Sequence, residues 1–414
     1  MTIKAPRGTH DIIGIDAFKM NVLENNAKSI FARRGFDEIR TPIFEDIALF
    51  IRSIGEQTDI VGKEMYVFED RKGKKFALRP EGTASFVRAY IEHRLDLSHP
   101  EGRFFYSGEM FRYERPQSGR YRQFHQIGGE LLGNSSPAAD AEIIITAADI
   151  LSAVGIVDMS ICVNYLGCPQ CRAKYRQVLI DYFSSKEDLC DDCKNRIEKN
   201  PLRALDCKVD AAKFTDVPHI TDFLCQQCLD NFSAVQALLK SAGYKFSIDS
   251  KLVRGLDYYT GMVFEIRSAA IGSQDAIVGG GRYDTLVKDL GGQQIPAVGF
   301  ALGSQRLILA AEQTGFFDKI ASRQKIYVAV ADNELMDAAF AFAVKISKEG
   351  LQANKNISVF PPLAGKNLTN QLKYANKISA DKTIVFAKTE FERGCLLLKD
   401  MKAKTQTEIP ISEI

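Results

Sequence analysis

Apolar residues recur at helical spacing from near the start of the chain. In DAFKMNVLENNAKSIFARR (16–34), Phe18, Val22, Leu23, Ala27, Ile30 and Phe31 share one face of a 3.6-residue period. Gly35 ends that run. FDEIRTPIFE (36–45) alternates and predicts a strand with a proline at its edge. MYVFEDRKGKKFALRP (65–80) predicts a hairpin around a Lys/Gly turn, and GTASFVRAYIEHRL a helix after it. RFFYSGEMFRYERPQSGRYRQFHQIGGELLG (103–133) reads strand, polar loop, strand. A helix over 137–153, capped near Ser136, and a short strand, SICVNY (160–165), follow.

The pattern changes between Leu166 and about Lys251. This stretch has short helical pieces and seven of the nine cysteines, and predicts an insertion. Strand-like alternation resumes at VRGLDYYTGMVFEI and DAIVGGGRYDTLV. An Arg and two phenols intrude there into a strand pattern, and buried polar groups need partners. IPAVGFALGSQRLILAAEQ (295–313) begins as a strand and becomes a helix. Beyond residue 323, IYVAV (326–330), ISVF, TIVFA (383–387) and LLLKDM (396–401) alternate with helical patterns at 332–349 and LTNQLKYANKIS. That alternation predicts a small α/β domain with a largely parallel sheet.

The 414 residues exceed one ordinary core, so two or three domains are expected. Hydrophobic content of 45% and charged content of 26% are those of a globular chain. A net charge of +2 confines any nucleic-acid surface to a local patch. No apolar run reaches membrane-spanning length, and MTIKAPRGTHDIIGID lacks a signal-peptide core. The expected location is the cytoplasm. Thiols stay reduced there, so nine cysteines point to metal or chemistry rather than disulfides.

Five short segments carry candidate chemistry. The loop Arg112–Arg122 holds Arg112, Arg115, Arg120 and Arg122 with Tyr113 and Tyr121, and Phe124 follows it. Guanidinium forks fit phosphate and carboxylate. An isolated basic loop is otherwise a solvated hairpin tip, but both flanks here are core-like strands. GFALGSQRL (299–307) sets two glycines before Arg306 at a strand-to-helix transition, and VGGGRYD (278–284) has three glycines in a row. Such glycines serve either close ligand approach or mere packing and turning. In RPEGTAS (79–85), Glu81 and Thr83 either cap a helix or face a ligand amine. Three CxxC pairs, 168/171, 190/193 and 225/228, have the spacing of metal ligands. One tetrahedral site takes four ligands. An insertion must return to its host, which favours Cys168, Cys171, Cys225 and Cys228. Cys190, Cys193 and Cys207 are then left over as structural thiols. The alternative is a ribbon of Cys168/Cys171 with Cys190/Cys193.

Together these segments resemble the histidyl-tRNA synthetase family, of the bacterial type, over essentially the whole chain. FDEIRTPIFE is similar to the first motif of the wider class II group, with Pro42 at a dimer interface. FRYERPQSGRYRQFHQ is similar to the second and GFALGSQR to the third. PRGTHD, RPEGT, VRGLDYYTG and VGGGRYD narrow the resemblance to the histidine enzyme. Gln305 departs from it, standing where the third motif usually has Glu.

The resemblance implies an α+β fold: a class II catalytic domain of antiparallel sheet flanked by helices, in two parts (1–165 and 252–322). A Cys-rich, mostly helical insertion (166–251) divides it, and an α/β anticodon-binding domain (323–414) ends the chain. It implies a homodimer that activates L-histidine with ATP and Mg²⁺ and charges tRNA(His). Arg112 and Arg254 are the implied catalytic residues, with Arg254 standing where related enzymes put a metal. Arg112, Arg120, Phe124 and Arg306 would bind ATP. Glu81, Gly82, Thr83, Gln126, Glu130, Tyr258 and Tyr259 would bind histidine. Zinc on the cysteines rests on spacing alone. The nearest alternative is the non-catalytic regulatory paralogue of ATP phosphoribosyltransferase, which lacks the last domain and several motif arginines. One geometric expectation concerns VRGLDYYTG. An ideal strand puts Arg254 and Tyr259 on opposite faces, so a bend or bulge near Gly255 is needed to bring them together.

Overall fold

The computed structural model describes residues 2–56, 58–207, 209–272, 276–320, 323–353 and 356–413. The chain divides into two compact units, Met1–Phe317 and Asp318–Ile414. The first is built on an eight-stranded sheet. In chain order its strands are β1 (Asp37–Glu38), β5 (Arg103–Phe111), β6 (Gln123–Leu132), β7 (Ser160–Tyr165), β8 (Phe246–Ile248), β9 (Met262–Arg267), β10 (Ala276–Arg282) and β11 (Ala297–Gly303). Their spatial order is β1-β5-β6-β11-β10-β9-β7-β8. Only the two outer pairs are parallel. The five inner pairings are antiparallel. A separate three-stranded sheet has the order β2-β4-β3, from β2 (Phe44–Asp46), β3 (Val67–Glu69) and β4 (Lys75–Leu78).

The alternation seen in the sequence sorts the large sheet into two chemically different faces. Phe105, Ile127, Leu131, Val298, Phe300, Leu302 and Phe264 point to one side. They pack on the helices Ile15–Arg33, Pro137–Ala153 and Ser304–Gln313 through Phe31, Ile144, Leu151 and Leu307. Apolar burial of this kind contributes about 25 cal/mol per Å². On the opposite face Phe104, Tyr106, Leu132 and Val263 pack on a second apolar cluster with Phe86, Val87 and Tyr90, and polar side chains are gathered on the middle strands beside it.

Two strand expectations are corrected. FDEIRTPIFE is not one strand: β1 joins the large sheet and β2 the small one. Between them the carbonyls of Thr41 and Pro42 accept hydrogen bonds from the Arg79 guanidinium at 2.9 and 3.4 Å. A side chain replaces the ladder there. VRGLDYYTG is not a strand either, because regular pairing starts only at Met262. The three glycines of VGGGRYD, by contrast, lie inside β10 and make no turn.

The Cys-rich stretch leaves the sheet after β7. It forms the helices Pro169–Ser184, Asp191–Lys199 and Gln226–Ser241, then returns through β8 alongside β7. The second unit has the strand order β13-β12-β14-β15-β16, from β12 (Gln324–Val330), β13 (Ile357–Phe360), β14 (Lys382–Phe386), β15 (Cys395–Asp400) and β16 (Thr405–Pro410). β12 pairs in parallel with β13 and β14, while β15 and β16 are antiparallel additions. Val328 and Val330 pack on the helix Met336–Gln352, and Tyr327 and Ala329 on the helix Leu368–Lys377. Burial on both faces explains the unbroken apolar run IYVAV.

Candidate active site

A cavity of about 400 Å³ opens over the polar face of the large sheet, a usual size for a small-molecule site. Its floor is set by register. Gln126 pairs with Gly303, Gly128 with Ala301, and Gly279 with both Ala301 and Glu265. Small residues line up across the middle strands so that long polar side chains can lie on them. A Cβ at Gly279 would collide with the Arg254 guanidinium, and one at Gly299 with the Glu130 carboxylate. These glycines of the two ambiguous motifs therefore make room for the chain's own polar side chains, Arg254 and Glu130.

One end of the cavity rests on buried acids and hydroxyls. Glu81 takes backbone N–H bonds from Thr83 (2.7 Å) and Ala84 (2.8 Å). It thereby caps the helix Thr83–Glu92, as one reading of RPEGTAS has it, and it also lines the cavity. Burial raises its pKa, against those hydrogen bonds and the charge of Arg112. Glu130 is completely buried beneath. Its oxygens accept from Thr83 Oγ1 (2.7 Å) and Tyr283 OH (2.6 Å). Burial pushes its pKa up to about 8, against those two bonds. Gln126 keeps a buried amide oxygen with no partner among the described residues. The rings of Tyr258 and Tyr259, 4.7 Å apart, close the side.

The other end is basic. Arg112 donates from Nε to the Pro80 carbonyl (2.8 Å), and its guanidinium lies 5.4 Å from the Phe124 ring centre. Glu114 is 3.9 Å from Arg112 and 3.6 Å from Arg120. Arg306 and Gly119 complete that wall. Arg254 is ion-paired through Nη1 with Glu265. Its Nε is buried without a partner among the described residues. Burial opposes its charge, but Glu265, Tyr259, Asp206 and Tyr258 more than offset that, and its pKa is raised. Arg115 is exposed, and Arg122 stacks over Tyr113 at 3.8 Å while donating to the Glu114 carbonyl. Those two do not line the cavity.

The bend expected at Gly255 is present, in a stronger form. Residues 252–261 form an irregular loop that bends at Gly255 and Leu256 and turns at Asp257 and Tyr258. Arg254, Tyr258 and Tyr259 all face the cavity. Asp257 is the anchor. Its Oδ1 accepts from Asn200 and from Arg203, each at 2.9 Å, and Arg203 also donates to the Gly255 carbonyl (2.9 Å).

Ten of the residues expected in the site line one cavity: Arg112, Arg120, Phe124, Arg254 and Arg306 toward the basic end, and Glu81, Thr83, Gln126, Tyr258 and Tyr259 toward the other. Gly82 and Glu130 lie below it. Gly82 is there for room, since a Cβ would meet the Tyr106 ring. Three partners were not foreseen: Glu114, Glu265 and Tyr283. Glu265 had a signal, as the one acid in the apolar strand MVFEIR. Gln305 uses its amide oxygen to accept the His125 N–H (3.1 Å), tying the third motif to the second. A carboxylate would make the same bond.

Away from the cavity, Cys168, Cys171, Cys225 and Cys228 bring their four sulfurs within 4.8 Å of one another. Cys190 and Cys193 gather elsewhere, with Cys207 and Asp210. The ribbon pairing of Cys168/Cys171 with Cys190/Cys193 is therefore overturned. The helices Pro169–Ser184 and Asp191–Lys199 carry the two pairs to different places.

The profile described as Histidyl-tRNA synthetase matches residues 8–307. The chain is 65% identical over 413 residues to the histidine–tRNA ligase of Endomicrobium trichonymphae, covering all of both. The chain belongs to the histidyl-tRNA synthetase family. Among solved structures of that family, apo S. aureus histidyl-tRNA synthetase is similar at a TM-score of 0.79 and 32% identity, with 99% of this chain and 98% of that one covered. A Bacillus halodurans protein described as an ATP phosphoribosyltransferase regulatory subunit/histidyl-tRNA synthetase matches at a TM-score of 0.69 and 20% identity, over 94% of this chain and 99% of that one. That likeness establishes a shared fold.

Proposed function

We propose that this chain is a histidine–tRNA ligase, a class II aminoacyl-tRNA synthetase acting in the cytoplasm. It activates L-histidine to histidyl-adenylate and transfers it to the 3′ end of tRNA(His). The observation that carries this reading is a single cavity with arginines at one end and buried carboxyl, amide and phenol groups at the other. Anionic nucleotide and polar amino acid each meet matching chemistry. The regulatory paralogue is not favoured, because the second unit and Arg112, Arg254 and Arg306 are all present.

In this reading ATP enters with its Mg²⁺ as the substrate complex. Phe124 and Arg306 hold adenine between them, with Arg120 nearby, and Arg112 holds the α-phosphate. Glu81, seated by two backbone N–H groups, receives the histidine ammonium, helped by Thr83. Gln126 offers its open acceptor on the same side. Glu130 and Tyr259 read the imidazole, and Tyr258 forms the wall. A site whose own polar groups would be left unpaired rejects apolar amino acids strongly. The histidine carboxylate oxygen attacks the α-phosphorus. An O–P bond forms, the α–β bridge breaks, and its electron pair leaves with pyrophosphate. Charge grows on the α-phosphate oxygens, where Arg112 and Arg254 would act as fixed cations. A ribose hydroxyl of tRNA then attacks the histidyl carbonyl and releases AMP.

The second unit, Asp318–Ile414, would bind the anticodon, and two chains would pair as a homodimer. Cys168, Cys171, Cys225 and Cys228 fit a structural Zn²⁺. The Cys168–Cys171 sulfur separation is 3.5 Å, near the roughly 3.8 Å edge of a tetrahedron with Zn–S of about 2.3 Å. The backbone N–H of Cys225 donates to the Cys171 sulfur at 3.1 Å, as at a thiolate. ATP–pyrophosphate exchange tests the substrate. Exchange should depend on histidine alone, and exchange driven by another amino acid in its place would refute the assignment.

A further inference from the structure

The cysteines left over by the first cluster are not scattered. Cys190, Cys193, Cys207 and Asp210 bring one donor atom each within 4.8 Å of the others. We propose that these four residues form a second tetrahedral site for a thiophilic divalent cation, Zn²⁺ by its donor set, beside the adenylation pocket.

Four observations carry it. The Cys190 and Cys207 sulfurs are 3.7 Å apart. A disulfide needs about 2.05 Å, whereas two ligands of one tetrahedral zinc stand roughly 3.8 Å apart. Two of the sulfurs also face backbone N–H groups, Cys193 N to Cys190 Sγ at 3.4 Å and Asp210 N to Cys207 Sγ at 3.5 Å. Such contacts orient thiolate ligands and share their charge. Asp210 is completely buried. Its carboxylate accepts the Cys190 N–H at 2.8 Å and has the Lys213 ammonium 3.0 Å away. These two contacts hold the carboxylate in place beside the three sulfurs, so that one of its oxygens completes a four-donor set. Finally, the loop and helix geometry is that of a ligand knuckle. Cys190 caps the helix Asp191–Lys199 and Cys193 is in its first turn. Three sulfurs with one oxygen suit zinc and exclude magnesium or calcium, which demand oxygen shells.

The position gives the site a consequence. Asp206 and Cys207 end the turn Pro201–Asp206, and Arg203 of that turn holds Asp257 and Gly255 of the VRGLDYYTG loop. A cavity of about 440 Å³ has Cys190 and Cys207 among its walls together with Arg112 and Arg254. A cation here would fix the turn that fixes the Arg254 loop. The site itself is independent of the four-cysteine cluster, while its positioning role rests on the activity assigned above.

Metal analysis of the full-length chain, purified without chelator, tests it. Two zinc per chain are expected. Cys168→Ser/Cys225→Ser should keep one, and Cys207→Ser should lose one. X-ray absorption on the unsubstituted protein needs no variant: two sites of four sulfurs and of three sulfurs with one oxygen average about 3.5 sulfurs per zinc, against about 4 for the four-cysteine site alone. The proposal is overturned if Cys207→Ser leaves the zinc content unchanged. It is equally overturned if Cys168→Ser/Cys225→Ser is folded by circular dichroism yet holds no metal, or if the zinc shell contains sulfur only.

Discussion

Glu130→Gln isolates the least comfortable group in the site. Glu130 is wholly buried, and its described partners are two hydroxyls, Thr83 and Tyr283, with no cation against it. Burial lifts its pKa from the ordinary 4.5 to about 8. In the folded chain it keeps its proton where the unfolded chain has lost it. Stability from this group is therefore complete below pH 4.5, falls as pH rises, and levels off above about 8. At 1.36 kcal/mol per pH unit the whole fall is roughly 5 kcal/mol, which local relaxation and water entry reduce to about 2–5 kcal/mol. Gln has nearly the same shape, can accept from one hydroxyl and donate to the other, and does not titrate. Urea denaturation of both proteins from pH 5 to 8.5, without histidine, reads the difference. The wild type should lose about 2–5 kcal/mol relative to Glu130→Gln across that range. Parallel stability profiles would refute the buried, proton-bearing carboxyl. With histidine, kcat/KM of the variant should fall about 2–10-fold at neutral pH, since a hydrogen bond between neutral groups contributes roughly 0.5–1.5 kcal/mol.

Two further substitutions probe the basic end. Arg254→Ala should depress adenylation by about 100-fold or more while histidine affinity, read by calorimetry, changes only a few-fold, and equal losses of both would mark Arg254 as structural. The fold should survive, because Glu265 retains Arg267 at 3.0 Å. Gly279→Ala puts a methyl group where the Arg254 guanidinium lies. It should cost about tenfold in adenylation with a change of about 1 kcal/mol or less in stability, and full activity would mean that Arg254 is not held by that glycine.

Much of the large sheet was legible because its strands alternate and one face is apolar. RFFYSGEMF and QFHQIGGELL declare their partners that way, and the loop between them was visible as a cationic interruption. The small strands were harder. FDEIRTPIFE has one pattern but two destinies, because the decisive partner, Arg79, is 38 residues from Thr41 in sequence. β16, TQTEIP, carries almost no apolar signal, since it is an edge strand with most positions exposed. The site residues were legible through motif resemblance, but their partners were not. Glu265 meets Arg254, and Tyr283 meets Glu130 across 153 residues, only after the sheet has brought the strands together.

VRGLDYYTG shows why composition alone misleads about such a segment. Apolar neighbours suggest a strand, and a strand would send Arg254 and Tyr259 to opposite faces. The chain resolves the conflict by giving up regular pairing for ten residues, 252–261. Lost ladder bonds must be replaced, and several replacements come from the Cys-rich segment. Asn200 and Arg203 hold Asp257 and Gly255, while Arg172 donates to the Tyr259 carbonyl at 3.1 Å. The cavity loop is thus shaped by a segment that itself contributes none of the cavity's arginines. Asn200 and Arg203 sit between Cys193 and Cys207, and Arg172 follows Cys171 directly, so each contact is anchored close to a cysteine cluster. A chain that folds this cavity loop in this way needs those clusters to be rigid. This is the physical reason to expect that their cysteines hold more than each other.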